Sequence, residues 1–477
     1  MTGHSAGQGM QSPAMRRVRD LLRGPAIVCD GRATIRDAAK LMTDAGRRAV
    51  VIPTETTGFG IFTEGDLRAR VVVGGIDSNQ PVSTVMTPSA VTVDPDRLGA
   101  DAVTDMLEYG LRHLPVVTEA GALMGVLELS DLLTSATNQG FELRAALATA
   151  QDDSHLVETA RAVPVLVTEL VASRVSPLDI GATLAVLIDV TVRRAIELVV
   201  GGDERPDFAW LSLGSVARRE ALPSSDIDSA LVWGGESHHE GADAAKTIHD
   251  ILDLCGFPRD TKNAVATQAR FARTLPQWRT ALRKWVSNPY QDQALVMLSM
   301  LADARVVAGD PALDPRPAAL DQLRLHPAVM RLLLREAVGD KAKLHSFKDV
   351  MTRRTGTVDL KASAVQPIVN IARWAGISVG ARTSSTLERL KAAAGSGFLL
   401  DDDAQVLIES FEVLQQIRVR HQTDQFSAGR PPTDEVVIAE LTPLSRSLLS
   451  NAVREVAGVQ RRLEYAASAS ALPDIDP

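Results

Sequence analysis

The chain is 477 residues long, 45% hydrophobic and 23% charged, with a formal net charge of −8. That length exceeds what one core usually serves and predicts two to four domains. The acidic balance argues against general nucleic-acid affinity, which rests on basic patches and counterion release, so no DNA partner is expected.

The first residues, MTGHSAGQGMQSPAMRR, lack the apolar core of a secretory signal, and residues 1–17 read as a disordered tail. The most apolar long run, 180–200, is interrupted by Asp189, Arg193 and Arg194 and makes a poor membrane span. Cys29 and Cys255 form neither a disulfide framework nor a metal cluster and read as small buried hydrophobes in a reducing compartment. A cytoplasmic protein is expected.

An internal repeat follows. Helical stretches at 35–45 and 100–109 each lead through basic residues into an apolar strand, Arg47-Arg48-Ala49-Val50-Val51-Ile52 and Arg112-His113-Leu114-Pro115-Val116-Val117. Each strand turns into a second one that runs into a helix start, so that Thr63 and Asp66 of the first copy correspond to Glu128 and Asp131 of the second. A unit this long that recurs once is a duplicated module, not a solenoid. From the residues alone, Asp66 and Asp131 serve equally as helix caps.

The repeat resembles a tandem pair of CBS domains over residues 18–138. The resemblance implies that the acidic residue at the helix start holds the ribose of a regulatory adenine nucleotide and that a hydroxyl three residues earlier contacts phosphate. Thr63 and Asp66 match; Asp131 matches, but Glu128 replaces the hydroxyl and would repel phosphate. At most one competent adenosine site is expected. The resemblance also implies a homodimer formed through these domains.

Residues 139–200 carry apolar positions at spacings of three and four, broken at Val175-Ser176-Pro177, and predict a helical connector. The stretch FAWLSLGSVARREALPSSDIDSALVW, 208–233, then reads as a strand, a Gly214-Ser215 turn, a polar segment and a second strand entered through Asp226. Side chains two apart on a strand share a face, so Asp226 and Asp228 stand side by side. Two adjacent carboxylates repel unless a cation lies between them, and Mg²⁺ with a phosphate ligand fits oxygen donors. Glycine lets the backbone approach a phosphate, Ser215 adds a hydroxyl, and Arg218 is placed to neutralise a leaving pyrophosphate. A surface turn with a solvated acidic edge is the alternative.

Gly214-Ser215-x-x-Arg218-x-Glu220 followed by Leu222-Pro223-x-Ser225-Asp226-Ile227-Asp228 resembles the nucleotidyltransferase signature of the polymerase-beta-like superfamily, closest to the branch containing the uridylyltransferase of the PII signalling protein. Arg219 departs from it, standing where that branch usually has glycine. The superfamily often uses a third carboxylate from a later strand; Asp260 and Asp303 are both open, the latter also reading as a buried ion pair with Arg305.

The Gly-flanked loop containing His238-His239 reads as solvated, and 257–272 as a further strand of the catalytic sheet. Trp278 and Trp285, seven apart, mark a packed helix face. A proline-dense linker at 310–317 closes a domain at 201–315. Helical periods at 329–337, 360–375, 385–394, 401–422 and 441–466, with caps at Thr386 and Asp401, predict an antiparallel bundle over 316–470, with a tail at 471–477.

The bundle resembles the C-terminal substrate-binding domain of CBS-linked nucleotidyltransferases through Gly356-Thr-Val-Asp359-Leu-Lys361, Ala372-Arg373, Thr386-Leu-Glu-Arg389-Leu390 and Leu414-Gln-Gln-Ile-Arg418-Val-Arg420-His421-Gln422. Lys361, Arg373, Arg389, Arg418 and His421 are charges on otherwise apolar helices, either lining a basic cleft for a nucleoside triphosphate or an acidic acceptor, or paired internally. The fold class expected is α+β: CBS pair, helical connector, mixed sheet and helical bundle. The function expected is a nucleotide-regulated, Mg²⁺-dependent nucleotidyltransferase acting on an acceptor hydroxyl of a protein or small molecule, the alternative being a catalytically silent adenine-nucleotide sensor or scaffold.

Overall fold

The structure is a computed structural model that describes residues 16–54, 58–132, 135–201, 207–235, 239–339, 341–343 and 357–468. Apart from Arg16 and Arg17, the two expected tails lie outside the described residues, as do the side chains of His238 and His239 and residue Gly356. The fold is α+β and divides into two compact units, 1–142 and 143–477. Among the described residues no helix is long and apolar enough to cross a membrane.

The first unit contains the repeat twice over. The helix Ile35–Asp44 starts where the Thr34 side chain accepts the Asp37 N–H at 3.1 Å, and it buries Ile35, Ala38 and Met42 on one face. It feeds an antiparallel pair, β1 (Ala49–Pro53) and β2 (Phe59–Thr63). The second copy repeats the order: helix Gly99–Tyr109, ended by Gly110 at φ 67°, then β3 (His113–Val117) and β4 (Leu123–Glu128). Cys29 and Cys255 are free and buried, as the sequence implies.

The second unit is built on a four-stranded sheet in the order β7-β6-β5-β8. β5 (Phe208–Ser212) is buried along its whole length and pairs antiparallel with β6 (Ser229–Trp233) and β8 (Arg305–Gly309), while β7 (Ala272–Thr274) runs parallel to β6 at the edge. The strand expected over 257–272 is therefore mostly turns, with a single bridge between Ile227 and Arg259 before β7. Trp278 and Trp285 do pack together, edge to face with centroids 6.1 Å apart.

Residues 177–200 of the expected connector are packed into the second unit. The helix Pro177–Val200, capped by Ser176, lies against β8 and the helix His239–Leu254, inside the second unit. The proline-rich stretch near 315 likewise does not separate two cores: one apolar cluster runs from Ala209 and Leu211 of β5 through Leu301 and Leu320 to Trp374, Phe411 and Val456. The helices Pro327–Gly339, Gln366–Ser378, Thr386–Ala393, Asp401–Ser427 and Pro443–Ser468 thus complete the sheet's core, joined by the short ribbon of β9 (Thr357–Asp359) and β10 (Glu435–Val437). Two expected caps differ: Ser385, not Thr386, accepts the Glu388 N–H, and the helix at Asp401 starts after Leu400 with no side-chain cap.

A buried ion cluster pins these helices to the sheet. Asp303, 1% exposed, receives Arg218 at 2.8 Å, Arg373 at 2.7 Å and Arg389 at 2.5 Å. Burial alone would raise its pKa, yet the Arg373, Arg389 and Arg218 guanidiniums hold the carboxyl well below the usual range. Removing the one acid strands three buried cations, and breaking such a cluster costs about 3–5 kcal/mol. Asp303→Ala is expected to lower the denaturation midpoint accordingly; a midpoint within 1 °C of wild type would show that the cluster does not hold the unit together.

Candidate active site

The register of β5 with β6 pairs Ser212 with Ser229, and the Leu213 N–H continues the ladder to the Asp228 carbonyl at 3.0 Å. That brings the turn after β5 beside the lead-in to β6. β6 begins at Ser229, so Asp226 and Asp228 lie in an extended approach whose alternation holds: Ile227 between them is buried and bridges to Arg259. Because Asp260 follows that bridge by one residue, its carboxylate joins the pair. Asp226, Asp228 and Asp260 each offer an oxygen within 4.8 Å of the others. Asp260 Oδ2 is fixed by the Ala264 N–H at 2.8 Å. The third carboxylate is thus Asp260; Asp303 is committed to its arginines, and Arg305 pairs with Asp189 at 2.8 Å instead of with Asp303.

Three gathered acids with little compensation are costly. Burial, then the charges of Asp226 and Asp260, pushes the Asp228 carboxyl up to about 7. Burial likewise raises Asp226, against which Lys361 works, its Nζ 3.8 Å from Asp226 Oδ1. All-oxygen donors with excess negative charge at this spacing suit a hard divalent cation such as Mg²⁺. Asp226 and Asp228 are each only partly buried, so solvent reaches the group.

Gly214 is demanded by this packing. It has φ +58°, and a Cβ there would stand 2.2 Å from Asp228 Oδ2. Ser215 Oγ donates to Ser225 Oγ at 3.3 Å, and Ser225 Oγ accepts the Leu222 N–H at 2.9 Å, closing the signature loop on itself.

Arg218 is corrected from its expected role. Its side chain is 8% exposed and bound to Glu220 and Asp303, both at 2.8 Å, so it braces the turn and is not free to meet a pyrophosphate. Arg219 holds φ +65°, which gives a physical reason for glycine at that position in the signature it resembles. Its side chain reaches Asp189 at 3.1 Å, on the helix behind the turn.

The expected basic cleft also resolves differently. Arg373 and Arg389 are consumed by Asp303; Arg418 makes a two-pronged contact with Asp434 at 2.7 and 2.8 Å; His421 Nε2 lies 3.0 Å from the Glu435 carbonyl oxygen. The internal-pairing alternative holds for all of these but Lys361, which faces the carboxylates. Sequence reading missed Asp434 and Glu220 as organisers. Asp434 accepts from Gln422 Nε2 at 2.8 Å while Gln422 Oε1 accepts the Ser224 N–H at 3.0 Å, two residues before Asp226. The Asp434 carbonyl also accepts the Leu360 N–H at 3.0 Å, beside Lys361. Glu220 accepts the Thr386 N–H at 2.8 Å. Only the acids and amides themselves were visible in sequence; their partners lie up to 210 residues away, as with Ser224 and Asp434.

In the first unit, Thr63 and Asp66 form a reciprocal cap, with Thr63 Oγ1 donating to Asp66 Oδ2 at 2.7 Å and the Asp66 N–H returning to Thr63 Oγ1 at 3.3 Å. Both also line a cavity of about 930 Å³ shared with Arg48, Arg70, Arg112 and Glu128. Asp131 is corrected: it is 3% exposed, ion-paired with Arg23 and hydrogen-bonded to the Glu128 N–H, and is not among the cavity's lining residues.

A carboxylate triad beside a glycine turn on a mixed sheet, with a duplicated small module before it in the chain, defines the class: a nucleotidyltransferase fold and a CBS pair in one chain. Family models agree, matching "Putative nucleotidyltransferase DUF294" at residues 161–292, "Putative nucleotidyltransferase substrate binding domain" at 327–467 and "CBS domain" at 18–73 and 82–137. The chain belongs to this family of CBS-linked nucleotidyltransferases. Among curated relatives it is similar to the CBS domain-containing protein CBSCBSPB2 of Arabidopsis thaliana, 32% identical over 30% of this chain and 28% of that one. It is also similar to the CBS domain-containing protein YhcV of Bacillus subtilis, 30% identical over 25% of this chain and 84% of that one. Among solved structures, the CBS domain protein PAE2072 from Pyrobaculum aerophilum complexed with AMP aligns with 27% of this chain and 98% of its own, at 24% identity and a TM-score of 0.24.

If the triad holds a cation, Mg²⁺ at a hundredfold excess over its dissociation constant stabilises the protein by about 2.7 kcal/mol. Asp228→Asn is expected to raise the melting temperature of the metal-free protein by relieving repulsion and to abolish the Mg²⁺-dependent rise. A variant that still responds to Mg²⁺ like wild type would place the cation elsewhere.

Proposed function

We propose that this chain transfers a nucleoside monophosphate from a nucleoside triphosphate to an acceptor hydroxyl, releasing pyrophosphate. The observation that carries this reading is the convergence of Asp226, Asp228 and Asp260 against the Gly214 turn. Those three carboxylates would hold Mg²⁺, which when bound supplies charge neutralisation for the triphosphate and the leaving pyrophosphate. The backbone N–H groups after Gly214 and the Ser215 hydroxyl orient phosphate oxygens. Lys361, its Nζ 3.8 Å from Asp226 Oδ1, meets the remaining negative charge. The acceptor oxygen attacks the α-phosphorus in line; that O–P bond forms as the bond to the bridging oxygen breaks, pyrophosphate leaves with the electron pair, and the hydroxyl proton passes to the Asp260 carboxylate, whose Oδ2 is fixed by Ala264. Positioning and charge compensation account for the catalysis. The uridylyl group is the first candidate for transfer, and a protein side chain or a small molecule the acceptor.

The alternative, a catalytically silent sensor or scaffold, draws on Arg219 and on the open choice of third carboxylate. The Arg219 side chain pairs with Asp189 and Asp260 lies beside Asp226 and Asp228, both of which support the enzyme reading. Incubation with each α-labelled triphosphate and Mg²⁺ in cell extract is expected to label an acceptor, and Asp226→Asn with Asp228→Asn to cut labelling at least about a hundredfold. Undiminished label in the double variant rejects the site.

Regulation by an adenine nucleotide in the Thr63 and Asp66 cavity belongs to the same reading. The Asp66 carboxylate would accept ribose hydroxyls while the Thr63 hydroxyl meets phosphate, with Arg112 on the same wall as a further cation. Coupled sites typically exchange about 1–3 kcal/mol. Asp66→Ala is expected to weaken AMP, ADP or ATP binding at least about tenfold, measured by calorimetry, and to flatten the response of the labelling rate to these nucleotides; unchanged affinity would move the regulatory site. Association into a homodimer through the CBS domains is part of this proposal.

A further inference from the structure

A second cavity, about 850 Å³, opens at the edge of the catalytic sheet, lined by Trp233 at the end of β6, Ala272 and Arg273 of β7, and Arg270, Lys284, Trp285 and Asp292 around them. It contains none of the triad residues. Trp233 ends β6 five residues after Asp228 in its extended lead-in, a separation of about 16 Å at strand rise.

Its charge is unbalanced in the sense opposite to the triad's. Lys284 is paired with Asp292 at 2.6 Å. Among the described residues neither Arg270 nor Arg273 makes an ion pair with a carboxylate, though the Arg270 charge also acts on Asp292: Arg270 donates to the Gln293 side-chain amide oxygen, and Arg273 Nε donates to the Arg270 carbonyl at 3.0 Å. The Arg273 guanidinium is held over two indoles, 5.8 Å from the Trp278 centroid and 5.7 Å from that of Trp285. Partial burial, and the neighbouring Arg270, disfavour its charge. A guanidinium so placed beside a like charge, with most of its N–H donors uncommitted, is complementary to an anion. Three cations against one acid leave the wall with a surplus of two positive charges. A phosphate monoester, at about −1.5 to −2 near neutral pH, matches that surplus better than a single carboxylate does. The Thr267 and Thr280 hydroxyls and the Gln277 amide, also on the wall, add neutral donors. The volume falls within the range of about 300–1,000 Å³ typical of small-molecule sites.

We propose that this cavity is a binding site for a phosphate-bearing small molecule, anchored by Arg270 and Arg273 and distinct from both the carboxylate triad and the CBS cavity. It does not depend on the transferase reading.

Phenyl phosphate is a suitable probe, because it carries the dianion without the ribose that Asp66 would recognise, and benzoate is the singly charged control. The full chain carrying Asp226→Asn and Asp228→Asn, which removes the triad's pull on any metal-bound phosphate, is titrated while following tryptophan fluorescence. A saturable response to phenyl phosphate, at least tenfold weaker for benzoate, is expected. Arg270→Gln with Arg273→Gln should weaken it at least tenfold, and the exposed single change Arg270→Gln, which leaves the indole contact of Arg273 intact, at least threefold. Asp66→Ala should leave it unchanged. The proposal is overturned if phenyl phosphate gives no saturable response, if benzoate matches it, or if the single Arg270→Gln variant binds as wild type does.

Discussion

Mutual repulsion among Asp226, Asp228 and Asp260 is the constraint around which the second unit is arranged. Three carboxylates with ligand oxygens within 4.8 Å of one another will not stay together unless the backbone forces them. The force comes from the sheet. β5 is fully buried, its ladder to β6 fixes Asp228 against Gly214, and the Ile227 to Arg259 bridge carries Asp260 in from the next segment. Each of those backbone bonds is paid for by apolar burial in the shared core, whose members extend into the C-terminal helices. The three carboxylates are therefore gathered against their mutual repulsion and held there by packing.

The two arginines of the signature show how the turn is kept in place. Arg218 reaches to Asp303 and Glu220, and through Asp303 it shares a carboxylate with Arg373 and Arg389 of the C-terminal helices. Arg219, its neighbour in left-handed geometry, reaches to Asp189, which also takes Arg305 of β8. Adjacent residues thus tie the glycine turn to two different buried acids on two different elements. This explains why 177–200 and 327–468 belong to one compact unit with the sheet: each supplies a partner that the turn requires.

The parts of the fold set by local rules were legible in the sequence. The duplicated helix and strand pair, the Ser176 to Pro177 break and the long C-terminal helices all follow from periodicity, caps and proline, and fall within a few residues of the expected limits. Asp226 and Asp228 were legible because alternation survives in an extended lead-in even where the strand proper starts later. Asp260 stayed ambiguous against Asp303 because nothing local distinguishes an acid in a turn that joins a cluster from an acid on a helix that meets three arginines. The choice between cleft and internal pairing for the arginines of the helices stayed open for the same reason, and Arg218 was expected at the pyrophosphate because its partners were out of sight. A buried Arg looks like a phosphate ligand until its partner is known, and the partners of Arg218, Arg373 and Arg389 are 85, 70 and 86 residues distant.

Lys361 shows what the C-terminal helices add beyond packing. It follows β9, whose pairing with β10 and whose Leu360 bond to the Asp434 carbonyl set its position. Asp434 is itself locked by Arg418 and Gln422, and Gln422 holds Ser224 in the loop that delivers Asp226. One acid therefore fixes both the approach of the cation and the loop bearing the carboxylate it faces. Burial would raise the pKa of Asp434, but Arg418 and Lys361 hold it lowered, so the carboxylate remains charged and keeps its bonds to Arg418 and Gln422. The segment bearing Lys361 and the loop bearing Asp226 are therefore held by two different groups of one residue, the Asp434 carbonyl and the Asp434 carboxylate.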